Sequence, residues 1–206
     1  MSRATRLSTL ALLPMILCAT SALALDLGGH DRDGGVLGVQ LGAGWNKLEF
    51  AVMDDSGETI QGSTGWESAF SGGVSIGWAP NDNFIYSVGI AGWKRSFYQQ
   101  ISPISVTTFH FMLDLAWFPR GEGFWIKAGA GSGTLDFSMV LPEARVTFKK
   151  AGWNFVGGVG YELRASDDFA LGLAYDFRFL TVGQFEGLED TKVYSHNASL
   201  SLRFYM

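Results

Sequence analysis

The chain has 206 residues, with 15 Lys and Arg against 20 Asp and Glu, a formal net charge of −5. It is 47% hydrophobic and only 17% charged, with sixteen Phe, seven Trp, six Tyr and 27 Gly. This is one domain's length with apolar material for a core, which excludes a disordered chain; the acidic balance argues against a nucleic-acid partner, and glycine without a G-X-Y period excludes a collagen-like chain.

Residues 1–24 read as a secretory signal. Arg3 and Arg6 form a basic start, Leu7 to Ala19 an apolar run too short to span a bilayer, and Ala22-Leu23-Ala24 a small-residue site, so cleavage is expected after Ala24. The exported chain then holds thirteen bases and twenty acids, net −7. Cys18, the chain's single cysteine, lies inside this segment, so no disulfide, thiolate metal site or cysteine nucleophile is expected. Leu17 does not fit the small residue that a lipoprotein signal needs before its cysteine. Residues 25–35 read as a periplasmic lead-in. Their Asp31 and Asp33 stand among glycines in the manner of a Ca²⁺ loop, but the further oxygens and distal Glu are missing, and no metal is expected.

From residue 36 the dominant signal is alternation. Leu37, Val39, Leu41, Ala43 and Trp45 alternate with Gly38, Gln40, Gly42 and Gly44. Phe70, Val74, Ile76 and Trp78 alternate with Ser71, Gly73, Ser75 and Gly77. Phe109, Phe111, Leu113, Leu115 and Trp117 alternate with Thr108, His110, Met112, Asp114 and Ala116, and residues 153–164, 169–179 and 197–206 repeat the pattern. Period two is the mark of a strand. Residues 84–95 and 124–137 are strands whose register the pattern leaves open. Tight turns are predicted at Pro80 to Asn83, Pro119 to Gly123 and Ala165 to Asp168, and longer polar loops near 52–65, 96–105, 139–150 and 183–192.

About eight long strands joined by turns that are short on one side and long on the other predict an all-β fold: an eight-stranded antiparallel up-and-down transmembrane β-barrel over residues 36–206. A soluble barrel would also alternate, but its second face would carry Lys, Glu and Thr. Here that face is mostly Gly, Ser and Ala, which suits a crowded lumen and leaves the apolar face for lipid. Trp78, Phe84, Trp117, Phe124, Tyr161 and Phe169 cluster beside the short turns as a periplasmic aromatic girdle. In this layout, and in the final strand with Leu200, Leu202, Phe204 and Met206 on one face, the chain resembles the small eight-stranded outer-membrane barrels: the OmpA transmembrane domain, OmpX and the opacity-type surface proteins. The resemblance implies residence in the Gram-negative outer membrane among lipid and lipopolysaccharide, a monomer, and insertion by barrel-assembly machinery that reads the last strand. This chain departs from the family's terminal aromatic by ending in Met206.

Alternation also places Asp114, Lys127, Glu162, Arg164, Asp176, Arg178 and Arg203 in the lumen, with Glu67 near its outer end. The signs balance, and buried charges must pair. Folding the hairpin about Gly121 puts Asp114 almost opposite Lys127. Such pairs are expected to plug the lumen; the alternative is a narrow channel for ions or small solutes. A third reading is a lipid A-modifying enzyme, since Tyr194 to Ser199 resembles the His and Ser of lipid A deacylase barrels. Period two, however, puts Ser195 and His196 on opposite faces, so no catalytic residue is expected. No phosphate-binding loop or metal motif is present, and no cofactor is expected. Outer loops remain as a site for a surface ligand: two acidic, with Asp54, Asp55 and Glu58, and with Glu186, Glu189 and Asp190, and one basic, with Arg145, Lys149 and Lys150.

Overall fold

Alternating apolar and small residues give each segment two unlike faces, and a sheet of such strands buries one of them by closing on itself. The computed structural model describes residues 32–53, 59–98, 103–121, 123–140, 145–185 and 188–206. The predicted signal, Cys18, the lead-in up to Asp31, and Asp54, Asp55, Glu58 and Glu186 of the predicted loops lie outside these residues. The described chain is all β: β1 (Gly34–Met53), β2 (Thr59–Ser63), β3 (Glu67–Asn81), β4 (Phe84–Tyr98), β5 (Pro103–Trp117), β6 (Phe124–Val140), β7 (Arg145–Ser166), β8 (Phe169–Phe185) and β9 (Leu188–Tyr205). Every neighbour pair is antiparallel, and β1 pairs with β9 to close the ring.

Nine segments make a ring eight strands wide. β2 and β3 lie on the same side of β1, with Glu49 opposite Ser63 and Asn46 opposite Glu67, a one-residue slip across Thr64-Gly65-Trp66. The Thr64 hydroxyl accepts the Leu48 N–H at 3.1 Å and the Thr64 N–H reaches the Leu48 carbonyl at 3.0 Å, so the interruption is a bulge in one strand position. At the opposite end the turns are tight. The Asn81 side chain accepts the Asn83 N–H at 2.9 Å, and Gly121 and Gly123 take φ of 76° and 69°, values open to glycine.

The outward face carries an apolar band with an aromatic row at each margin. Phe70 and Trp78, Phe109 and Trp117, Trp153 and Tyr161, and Phe169 and Phe177 all bracket it, each pair eight residues apart on its own strand. Eight steps are about 27 Å of strand, or roughly 21 Å of height at a tilt near 40°, which matches the apolar band of a transmembrane barrel.

Above this band the structure departs from the sequence reading. The segments read as long loops are mostly strand: β4 runs to Tyr98, β6 to Val140, and β7 starts at Arg145. Two ladders nevertheless stop at the band's upper margin. β3 and β4 part above Phe70 and Lys94, and β7 and β8 part above Trp153 and Thr181. The other ladders continue, to Tyr98 and Pro103, Val140 and Arg145, Phe185 and Leu188, and Met53 and Thr59. The ring therefore opens into two four-stranded sheets, β4-β5-β6-β7 and β8-β9-β1-β2. Hydrocarbon tolerates no unpaired backbone, whereas water does, so the ladders break where the membrane ends. At the base of this opening the two halves of the barrel meet through Trp93, Val106 and Leu135 from one and Leu180, Val182 and Val193 from the other.

Candidate functional site: the barrel lumen

Side chains from opposing walls meet inside the barrel in three layers. At the short-turn end the centre is Glu162, 3% exposed. One carboxylate oxygen accepts the Tyr205 hydroxyl at 2.6 Å and the Arg32 Nη2 at 3.2 Å; the other accepts Arg203. Arg32, which precedes β1, is wholly buried and lies 3.7 Å over the Phe118 ring. Its backbone N–H donates to the Asp82 carboxylate at 2.5 Å, and its Nη1 to the carbonyls of Asp82, at 2.9 Å, and Gly121. Arg203 lies 5.0 Å over the Trp125 ring, and Arg164 lies 4.2 Å over the Tyr205 ring and donates to the Asp167 carbonyl at 2.5 Å.

At mid-depth Asp176 holds two cations, Lys127 at 2.9 Å and Arg178 at 3.1 Å. Lys127, Gly158 and Asp176 stand in one row across β6, β7 and β8. A Cβ on Gly158 would come 3.4 Å from the Lys127 stem and closer still to the Asp176 carboxylate, so the missing side chain leaves the path that the ion pair uses. This corrects the predicted pairing. Ala116, not Asp114, faces Lys127, and the Lys127 ammonium reaches past its neighbour strand to Asp176. The Asp114 Oδ1 is buried without a hydrogen bond, and its residue borders a cavity of about 40 Å³ lined also by Gln40, Ser75, Ser87 and Arg203. His110 lies inside as well, its Nε2 3.0 Å from the Thr108 hydroxyl. Glu67 stands at the edge of the crown and pairs with Arg95 at 2.9 Å.

The outer layer is apolar. Trp93 reaches from β4 to β9, donating its Nε1–H to the Ser195 hydroxyl at 3.0 Å, and Leu135, Leu180 and Val193 pack in the same cluster. Sequence reasoning missed Arg32, Phe118, Tyr205, Trp93 and Trp125. Arg32 carries no periodic signal, and the inward aromatics look like lipid-facing ones until the register is known.

The remaining predicted positions fall as follows. Trp78, Trp117 and Phe124 are exposed at the short-turn margin, and Phe84, Tyr161 and Phe169 are partly exposed beside them. Leu200, Phe204 and Met206 face outward with the half-buried Leu202. Ser195 is buried in the lumen, whereas His196 is on the outer surface, its Nδ1 2.6 Å from the Tyr175 hydroxyl and its ring 4.9 Å from that of Trp66. A nucleophile and its base cannot meet through the barrel wall, so these two residues form no catalytic pair. On the crown, Lys149 and Lys150 are exposed on β7, and Asp190 pairs with Lys192 at 2.5 Å. Among the described residues no group of His, Cys, Asp and Glu is arranged to hold a metal.

Three comparisons bear on this architecture. The family model for the outer membrane protein beta-barrel domain matches residues 10–204. In fold the chain is similar to Ail, the attachment invasion locus protein of Yersinia pestis, with a TM-score of 0.54 at 11% identity, over 84% of this chain and 99% of that one. It is similar to Ail in complex with the heparin analogue sucrose octasulfate, with a TM-score of 0.54 at 12% identity, over 83% of this chain and 99% of that one. It is also similar to Neisserial surface protein A, with a TM-score of 0.52 at 15% identity, over 82% of this chain and 97% of that one. No curated protein matches the chain in sequence.

Proposed function

We propose that this chain, which belongs to the outer membrane protein β-barrel domain family, works in the Gram-negative outer membrane as a plugged, non-catalytic barrel that holds its two-sheet crown toward the outside. The observation that carries this reading is the filling of the lumen at both ends. The Trp93–Ser195 bond crosses it under the crown, and Arg32, Phe118, Glu162 and Arg203 crowd its periplasmic mouth. An eight-stranded barrel has room for side chains and little else. Balanced pairs such as Lys127–Asp176 hold that filling in place, where a conducting pore would more often carry a ring of one sign. On this reading the protein acts as a monomer, is inserted by the barrel-assembly machinery through its last strand, and meets surface ligands with its crown. The complex of Ail with a heparin analogue supports an anionic ligand, for which Lys149 and Lys150 supply exposed charge.

A narrow channel is the second reading. It rests on Asp114, whose carboxylate has an oxygen without a hydrogen bond, and on the cavity of about 40 Å³ beside it. Lys127 would have to leave Asp176 for Asp114 to widen the path. Conductance of the refolded protein in a planar bilayer separates the two readings. Folded protein that stays silent is the expected result. Discrete current steps that change in size when Asp114 is replaced by Asn would overturn the plug and establish the channel.

A further inference from the structure

Among the described residues, the two sheets of the crown leave four strand edges without a neighbour, and these edges are not equivalent. Beyond Thr181, β8 is broken by two register shifts, and Gly183 takes a φ of 66°, so that edge is not straight. β4 offers the short run Arg95–Tyr98, and β2 the five residues Thr59–Ser63. β7 offers the longest run. Residues 146–151 pair with β6 throughout, while the ladder to β8 stops at Trp153 and Thr181. A straight edge in water is a template for one more strand, because its outward N–H and C=O groups already stand at strand spacing.

The charge of this edge is distinctive in a chain of net −5. Lys149 and Lys150 are both exposed, the Lys149 side chain by 64%. The acid paired with Lys149 is Asp136, at 3.8 Å, which leaves the ammonium available. Lysines on an edge repel a second copy of the same edge, and so work against self-association. The same charges favour a strand that brings carboxylates.

We propose that residues 146–151 of β7 form a docking strand for an extended acidic peptide segment of a partner protein, which pairs its backbone with the β7 edge and sets carboxylates against Lys149 and Lys150. This rests on the surface-interaction reading above and gives it a place and a partner chemistry. A sulfated saccharide would use the two lysines but not the backbone edge, and that difference makes the two distinguishable.

The test uses the full folded barrel in lipid nanodiscs and a capped peptide of glutamate, threonine and valine. A second probe is the same peptide N-methylated at alternate amides, which keeps the charge and removes the backbone donors. The plain peptide should bind saturably, and the methylated one at least about tenfold more weakly. The double variant Lys149→Glu/Lys150→Glu should lose binding by a similar factor of about ten while still migrating as a folded, heat-modifiable barrel. Amide shifts caused by the peptide should centre on residues 146–151. Equal binding of the two probes would reduce the site to charge alone and overturn the strand. Shifts centred on β2 or β4, or no binding by folded protein, would overturn it too. Failure here in a protein that is silent in bilayers leaves the plugged-barrel reading intact, whereas current steps would remove that reading and not this one.

Discussion

Among the described residues, the buried carboxylates Glu162 and Asp176 each hold two cations, and Asp114 holds none in a direct ion pair. Glu162 lies between Arg32 and Arg203, and Asp176 between Lys127 and Arg178. Removing the charge from either leaves two cations in a lumen that water does not reach freely. Breaking a buried pair by deleting one partner costs about 3–5 kcal/mol. Glu162→Gln and Asp176→Asn should therefore each lower the urea unfolding midpoint substantially. Asp114→Asn should lower the stability by about 1 kcal/mol or less and move the midpoint correspondingly little, since no salt bridge is lost, only a more distant attraction to Lys127. Equal shifts for Asp114→Asn and Asp176→Asn would show that Asp114 carries a pair after all. Parity alone sets the face of its strand on which each of the seven charges lies. It could not name the partners, because those depend on how adjacent strands are staggered. Lys127 and Asp176 meet only because Gly158 stands between them in the row.

At the scale of the strand, legibility follows how unlike the two faces are. β5 was plain from sequence, with Phe109 to Trp117 outside and Thr108 to Ala116 inside. β4 and β6 were not, because their inner faces carry Ile85, Trp93, Trp125 and Leu135, all of them buried. Large apolar residues on both faces erase the contrast that alternation depends on, and the ones that erase it are those that fill the lumen. The outer strand ends were missed for a related reason: above the membrane both faces meet water or a local core, so the pattern fades while the ladder continues. β7 offers a matched test of how tightly the lumen is filled. A Cβ on Gly160 would press into the indole of Trp125 and the backbone carbonyl of Leu173, whereas nothing lies within 4 Å of a Cβ on Gly157, on the opposite face. Gly160→Ala should cost about 1–3 kcal/mol by forcing a fully buried Trp125 to shift. Gly157→Ala should change stability by less than about 0.5 kcal/mol, as an open outward site allows. The unfolding midpoints of the two variants check this, and a Gly160→Ala protein as stable as the parent would mean that Trp125 and the β8 backbone at Leu173 have room to spare.

For the whole molecule, the membrane decides where the ring must be closed. Within the apolar band every strand has two paired neighbours, and both interrupted ladders end at the band's upper aromatic row, at Phe70 and at Trp153. The coincidence has a physical basis: an unpaired amide costs several kcal/mol in hydrocarbon and little in water. Two sheets then rise above the membrane, joined at their base by the apolar contacts of Trp93, Leu135, Leu180 and Val193 and by the strands' own continuity below. Amide exchange should divide along the same line. In nanodiscs, the amides of β1 from Val36 to Trp45 and of β5 from Phe109 to Trp117 should stay protected, since both sides are paired and lipid covers the outer face. Alternate amides of Thr59–Ser63 and of residues 146–151, those pointing to the open edge, should exchange as quickly as exposed loops, while their intervening neighbours, bonded to β1 and β6, exchange more slowly. That alternation is specific to a one-sided strand. Uniform protection out to the strand tips would mean that the ring stays closed above the membrane and the crown has no free edge. Uniformly fast exchange there would mean that the two sheets do not persist. An alternating pattern confined to the residues above Phe70 and Trp153 is the outcome that the position of the ladder breaks requires.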